Sequence, residues 1–201
     1  MSEPLHLLTA LAARSRSKAI FQPCDFAAAG LRPEQVRRLL KAGSLQKAGR
    51  GRYVLPGSEL PDEMGVALVA AAAPSAVICL LTALRMHGIG SQAQREIWIA
   101  VDRRAAKPRI DYPPVRVVRF SGPALTFGIE TRDIGGTPVR VTSPAKTVAD
   151  CFKYRNKIGL DVAIEALKDA LGNKKTSRDE LWAAAAVCRV TRVVRPYIEM
   201  I

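Results

Sequence analysis

The sequence predicts an α+β fold, with an N-terminal winged helix-turn-helix followed by a small mixed β-sheet domain flanked by helices. Three observations support this fold class. Residues 24–55 combine two short amphipathic segments with a glycine-bearing hairpin pattern. Residues 96–141 are rich in β-branched runs, and residues 144–201 return to helical periodicity.

Length and charge limit what the chain can be. It has 201 residues, of which 48% are hydrophobic, so disorder is excluded as the default state. Its formal net charge is +13 and its pI about 10.1. Residues 1–61 carry 10 Lys/Arg against 4 Asp/Glu, and residues 62–201 carry 21 against 14. Such basicity indicates a polyanionic partner, usually nucleic acid and less often an anionic membrane surface.

The cysteines and the N-terminus indicate a cytoplasmic protein. Cys24, Cys79, Cys151 and Cys188 are far apart and form no C-x-x-C motif. We therefore expect buried free thiols rather than a disulfide framework or a metal site. Residues 1–20 lack the uninterrupted apolar core of a signal peptide.

The N-terminal elements follow from local signals. A first helix is predicted over Leu5–Arg16. Asp25 can cap the next helix, which ends at Gly30, a residue free to adopt a left-handed conformation. Pro33 suits the first turn of a further helix, and Gly43 ends that helix.

The helix after Pro33 is amphipathic. Val36, Leu39 and Leu40 share one face at i, i+3, i+4 spacing. The opposite face carries charged residues, namely Glu34, Arg37, Arg38 and Lys41. This helix is therefore the candidate recognition helix.

A hairpin follows. Ser44–Lys47 and Arg52–Leu55 are predicted strands around the loop Ala48–Gly51, which bears Arg50 at its tip. Ile20–Phe21 is a candidate third strand of the same sheet. A recognition helix fits the major groove, and the hairpin can contact neighbouring phosphates or the minor groove.

These features predict a duplex DNA-binding surface. Arg37 and Arg38 are the candidates for base reading or adjacent phosphates, with Gln35 a candidate for adenine. The full set of predicted DNA-binding residues is Arg32, Gln35, Arg37, Arg38, Lys41, Lys47, Arg50 and Arg52. The alternative is that these charges only solvate an ordinary amphipathic helix.

The segment Leu55–Pro61, with two prolines and a glycine, predicts a boundary between domains 1–61 and 62–201. Helices are predicted over Asp62–Ala73 and, for the most part, over Val77–His87. The 21 uncharged residues Met64–Leu84 could span a bilayer by length alone. Because alanine dominates and Pro74 lies in the middle, we instead expect two buried helices that meet at Pro74.

The remaining chain is predicted as strands and then helices. The strand candidates are Glu96–Val101, Val115–Phe120, Leu125–Thr131 and Pro138–Val141. The helix candidates are Pro144–Tyr154, Leu160–Leu171, Arg178–Val187 and Val190 onward. Ser143 is an expected N-cap, and Ser177 with Glu180 forms an expected capping box.

Catalytic signals are weak, so the sequence predicts no catalytic residue, metal or cofactor. Asp102 after a strand lacks the second carboxylate that two-metal phosphoryl transfer requires. Asp111 and Glu130 only loosely match a nuclease set. His87 is expected to interact with the last carbonyl groups of its helix. Lys146 and Asp150 are expected to pair on a helix surface, although a phosphate site there is the alternative.

Three segments together resemble the AbiEi family of transcriptional regulators, the antitoxins of type IV toxin–antitoxin systems. The first is the hairpin region from Gly43-Ser44-Leu45 to Arg50-Gly51-Arg52-Tyr53-Val54-Leu55. The second is the stretch Val77–Leu84 that ends in His87-Gly88, and the third is Val141–Asp150. The ordered set covers most of residues 20–170.

The resemblance implies a repressor that binds inverted repeats at its own promoter. Because such repeats have two half-sites, we expect two copies per operator. It also implies a C-terminal domain that counteracts a nucleotidyltransferase-like toxin, with or without direct contact. Two alternatives stay open. The chain could be a stand-alone winged-helix regulator without a toxin, or a nucleotidyltransferase- or nuclease-like enzyme.

Overall fold

The structure, a computed structural model, describes residues 21–49, 51–56, 62–92, 96–134 and 136–201. Residues 21–56 contain helices α1 (Pro23–Ala28) and α2 (Pro33–Lys41) and strands β1 (Gln46–Gly49) and β2 (Arg52–Val54). Residues 62–201 contain α3 (Asp62–Ala72), β3 (Val77–Ile78), α4 (Leu80–His87), β4 (Ile97–Asp102), β5 (Val115–Phe120), α5 (Pro123–Thr126), β6 (Ile129–Ile134), β7 (Thr137–Thr142), α6 (Pro144–Lys153), α7 (Arg155–Ile158), α8 (Leu160–Gly172), α9 (Arg178–Cys188) and α10 (Thr191–Glu199). The predicted α+β class is confirmed.

The helix ends of the N-terminal part follow the sequence signals with one correction. Asp25 is the third residue of α1 rather than its cap, and its Oδ2 accepts a 2.7 Å hydrogen bond from the backbone N–H of Gln22. Gly30 ends this turn with φ of 77°, as expected. Pro33 is the first residue of α2.

The first strand of the hairpin begins two residues later than predicted. The backbone N–H groups of Ser44 and Leu45 both donate to the carbonyl of Leu39, so these residues close α2 and cannot begin a strand. In place of the predicted third strand, Phe21 forms an isolated β-bridge with Tyr53, through two backbone hydrogen bonds of 2.8 and 2.9 Å. Ile20 and the predicted helix Leu5–Arg16 lie outside the described residues.

The larger sheet has five strands in the order β5-β4-β3-β7-β6. It is mixed, because β3 runs parallel to β7 and antiparallel to β4, while β4 and β5 are parallel. The sequence prediction of helix at Val77 and Ile78 was wrong, since these residues form the central strand. A strand of two buried residues is too short to show an alternating pattern.

Two other predictions need correction. Residues 125–126 belong to α5, and the following strand begins only at Ile129, after Gly128 with φ of 59°. The uncharged stretch Met64–Leu84 comprises α3, a turn at Pro74–Ser75, strand β3 and part of α4, so it is not two helices alone. No helix among the described residues is long and apolar enough to cross a membrane.

Both faces of the five-stranded sheet are covered. Along β4 the side chains alternate, since Trp98 and Ala100 join one apolar cluster and Ile97, Ile99 and Val101 join the other. Helices α4, α6, α8, α9 and α10 cover the first face, and α3 covers the second. The predicted caps are confirmed, because Ser143 Oγ accepts from the N–H of Lys146 and Ser177 Oγ from that of Glu180.

Candidate nucleic-acid interface

The apolar seam of α2 faces the interior of the N-terminal part. Leu39 is only 3% exposed, and Val36 and Leu40 pack beside it. Their partners in this cluster are Phe21, Phe26, Leu31 and Leu45, with Tyr53 and Leu55 at its edge. The buried seam fixes the rotation of α2 about its own axis.

The opposite face of α2 is charged and exposed to solvent. Its four exposed side chains are those of Glu34, Arg37, Arg38 and Lys41. None of them forms a salt bridge with another described residue, so the excess positive charge of this face is not neutralised within those parts of the chain. An α-helix with its side chains is about 10–12 Å in diameter, which suits the major groove of about 12 Å width.

Two predicted DNA-binding residues lie at the start of α2. Arg32 is exposed, and its backbone N–H donates a 2.8 Å hydrogen bond to Oε1 of Gln35. Gln35 is half-buried, and its carbonyl oxygen is occupied by this contact. Bidentate pairing of Gln35 with adenine uses the same side-chain oxygen as an acceptor, so that oxygen would accept from both Arg32 and the base or release the Arg32 N–H.

The hairpin is covered on both of its faces. On one face Tyr53 packs edge-on against Phe26, with ring centroids 5.1 Å apart. On the other face Ala48 and Val54, 3% and 0% exposed, pack against Leu68 of α3. The hairpin stem therefore joins the two-helix unit to the rest of the protein through direct packing.

The predicted cations of the hairpin differ in exposure. Lys47 is exposed on the outer strand β1, and Arg52 is half-buried. Arg50 lies outside the described residues. At Gly49, near the tip, an added Cβ would have no atom within 4 Å. The contact with α3 is made instead by Ala48 and Val54 of the stem.

Sequence reasoning missed the contribution of Tyr112. This residue lies in the loop between β4 and β5 and packs against the cluster formed by Ala48, Val54 and Leu68. Because side chains alternate along a strand, the apolar residues Ala48, next to Lys47, and Val54, next to Tyr53, were a signal that the hairpin has a second covered face. Their partners are distant in sequence, and no local pattern identifies them.

Lys146 and Asp150 are buried, which corrects the expected surface pair. Their side chains are 0% and 2% exposed, and Nζ lies 2.5 Å from Oδ2. Sγ of Cys188 contacts the other carboxylate oxygen at 3.3 Å. Burial raises the pKa of Asp150 despite the opposing effect of Lys146. The ammonium group also lies 4.3 Å from the Phe120 ring centroid, so the pair is part of the core.

His87 does not bind the carbonyl groups at the end of α4, which corrects another expectation. Its Nε2 lies 2.6 Å from the carbonyl oxygen of Thr142, and its Nδ1 lies 2.7 Å from Nη2 of Arg132. A carbonyl oxygen only accepts and a guanidinium only donates, so the imidazole is neutral with its proton on Nε2. Burial is the main cause of the lowered pKa of His87.

The cysteines match the prediction in three of four cases. Cys79, Cys151 and Cys188 are buried free thiols, whereas Cys24 is exposed on α1. Burial raises the pKa of Cys188 to about 12. Within the described parts of the chain, no group of three or more His, Cys, Asp or Glu side chains is arranged to hold a metal ion.

Comparison with known proteins supports the assignment of the N-terminal part. Residues 9–56 match the family described as "Transcriptional regulator, AbiEi antitoxin", so the resemblance found from the sequence is confirmed there. The second and third segments of that resemblance lie beyond the matched residues. No curated protein matches the sequence.

The fold has a counterpart among solved structures. The crystal structure of the RV2827C protein from Mycobacterium tuberculosis superimposes with a TM-score of 0.57 at 16% sequence identity. The similarity covers 92% of this chain and 72% of that chain. At this level of identity the comparison shows a shared fold.

Proposed function

We propose that this chain, whose residues 9–56 match the AbiEi antitoxin regulators, is a cytoplasmic DNA-binding repressor that binds inverted repeats in its own promoter. The observation that carries the proposal is the charged outer face of α2. Arg37, Arg38 and Lys41 are exposed on the side opposite the buried seam. A short helix with this arrangement can enter the major groove with its cations toward the bases and phosphates.

The hairpin acts as the wing in this proposal. Lys47 and the predicted contacts Arg50 and Arg52 supply phosphate affinity that does not depend on base sequence. Arg32 at the start of α2 adds to the same surface. Two copies bind one operator, because an inverted repeat presents two equivalent half-sites.

Titration of a labelled duplex of the chain's own promoter tests the DNA-binding role. The protein should bind this duplex more tightly than a random duplex, and affinity should fall steeply with salt. Equal affinity for the two duplexes would remove the repressor role. Absence of binding in dilute buffer would remove DNA binding altogether.

The second part of the proposal is an antitoxin role for residues 62–201, which we propose as a separate functional domain without enzymatic activity. The functional partner is a nucleotidyltransferase-like toxin, consistent with the family matched by the N-terminal part. The full chain should restore growth to cells that express such a toxin. Rescue by a chain carrying Arg37→Ala and Arg38→Ala should persist, because antitoxin activity is assigned elsewhere. Loss of rescue in that variant contradicts the division of roles.

A stand-alone regulator is the alternative. In that case promoter binding persists, but no toxin is neutralised.

A further inference from the structure

The loop between β4 and β5 carries a net positive charge, because its four cations are accompanied by one acidic residue, Asp111. Residues 103–110 contain four cations and no acidic residue. All four side chains are exposed, namely those of Arg103, Arg104, Lys107 and Arg109. None forms a salt bridge with another described residue.

Both ends of this loop are fixed by backbone hydrogen bonds. The N–H of Arg103 donates to the carbonyl of Phe120 at 2.9 Å, and the N–H of Ile97 donates to the carbonyl of Pro114 at 2.9 Å. Pro114 and Phe120 are six residues apart along β5, which places them about 20 Å apart along the sheet edge. The loop therefore runs from one end of the β4–β5 pair back to the other.

The second end of the loop lies against the hairpin. Tyr112 packs against Ala48 and Val54 of the stem, and Ile110 packs on the cluster that contains α3. Arg109 is three residues from Tyr112, so their Cα atoms are at most about 11 Å apart. Lys47 is the residue next to Ala48 and is exposed. Arg109 is thus held near the wing, and Lys107 lies two residues before it in the loop. Arg103 and Arg104 lie at the far end, where the guanidinium group of Arg119 donates to the carbonyl of Ala105.

We propose that Lys107 and Arg109 form a second contact with duplex DNA, binding backbone phosphates beside those bound by the wing. This inference rests on the proposed function and extends the DNA surface into residues 62–201. The charges suit a phosphate backbone because they are exposed and carried by an anchored loop, in which four cations outnumber one acidic residue, Asp111. An anchored loop loses little conformational freedom on binding.

Salt-dependent titration tests the proposal. The probe is a random-sequence duplex of about 30 base pairs, close to three helical turns. The variant Lys107→Ala/Arg109→Ala should reduce the magnitude of the slope of log K against log salt by about 1.8, since each lost phosphate contact removes about 0.9. The matched control is Arg103→Ala/Arg104→Ala, which removes two charges from the far end of the same loop and should leave the slope unchanged.

Three outcomes decide the matter. An unchanged slope in the Lys107/Arg109 variant overturns this contact, while wild-type binding leaves the proposed function intact. Equal slope changes in both variants also overturn it, because the effect is then one of total charge. Failure of the wild type to bind the duplex in dilute buffer removes the proposed function itself.

A charge-reversal variant guards against a folding artefact. Lys107→Glu/Arg109→Glu should weaken DNA binding more than the alanine pair, with an unchanged thermal unfolding midpoint because both side chains are exposed. If the Lys107→Glu/Arg109→Glu variant binds DNA with the affinity of the wild type, the proposed contact of Lys107 and Arg109 with DNA is wrong.

Discussion

Lys146 and Asp150 lie one helical turn apart on α6 and form a salt bridge in which neither side chain is more than 2% exposed. Breaking such a pair leaves one charge buried without its partner. We expect Lys146→Met to lower the free energy of unfolding by about 3–5 kcal/mol. Urea denaturation measures this change.

The double variant Lys146→Met/Asp150→Leu is the control for that experiment. It removes both charges and should recover most of the lost stability, because apolar replacement of a buried pair is often neutral. A single variant as stable as the double variant would show that the charge left behind is solvated.

His87 predicts a pH dependence of stability. Its pKa in the folded protein is lowered from 6.5, chiefly by burial. As the pH falls below about 6.5, the unfolded chain takes up this proton before the folded chain does, so the free energy of unfolding decreases. The contribution is fully present above that pH.

Replacement by glutamine tests this assignment. His87→Gln keeps a donor and an acceptor but has no titrating proton, so stability should vary less between pH 5 and 7, where the wild type changes by up to about 1.4 kcal/mol per pH unit. His6→Gln is the control, because it retains the imidazole of His87. An unaltered profile in His87→Gln would assign the dependence to another group.

Gly128 is a position where an added methyl group should be disruptive. It has φ of 59°, and an added Cβ would lie 2.9 Å from both Lys146 Cβ and Ser143 Oγ. Gly136 has φ of 80° and no neighbouring atom within 4 Å of an added Cβ. Gly136→Ala should therefore cost only the backbone strain of about 1–2 kcal/mol.

Gly128→Ala should lose about 1–3 kcal/mol more than Gly136→Ala, because overpacking adds to the strain. Thermal or urea unfolding of the two variants gives the difference. Equal losses would mean that α6 moves aside without penalty.

Val54 and Leu68 should be energetically coupled across the contact between the hairpin and α3. We expect Leu68→Ala to lower the free energy of unfolding by about 2–5 kcal/mol. A double-mutant cycle with Val54→Ala should give a coupling energy of about 0.5–3 kcal/mol. Val54 and Leu181, which belong to separate clusters, should instead be additive.

Arg38 and Lys47 should differ in their effect on DNA binding under the proposed function. Arg38→Ala should reduce the preference for the operator over random DNA by about 1–3 kcal/mol. Lys47→Ala, and likewise Arg50→Ala, should weaken binding to all sequences and reduce the salt slope by about one. Equal losses on operator and random DNA would assign Arg38 to phosphate contact.

Local chemistry made much of the N-terminal part predictable. The period of Val36, Leu39 and Leu40 identified the buried face of α2, and Pro33 and Gly30 marked the helix limits. Each of these signals involves residues that are within one or two helical turns of each other, so it can be recognised from a short stretch of sequence.

The features that sequence reasoning missed depend on distant residues. The central strand Val77–Ile78 has only two residues, and it is recognised as a strand through its pairing with β4 on one side and β7 on the other. The spacing of Lys146 and Asp150 predicted their contact but not its depth, which results from the packing of α4, α8 and α9 around α6. Tyr112 reaches the hairpin only through the complete fold.

The hairpin stem is packed on both faces, against the aromatic ring of Phe26 on one and the side chain of Leu68 on the other. It therefore connects the N-terminal helices to α3 directly, because Tyr53 packs in one cluster and the adjacent Val54 packs in the other. A displacement of α3 would therefore act, through these two neighbouring side chains, on the cluster that also holds Leu39 of α2. Under the proposed function, the angle at which the charged face of α2 meets a duplex is thus set partly by Val54 and Leu68, which are buried in the protein.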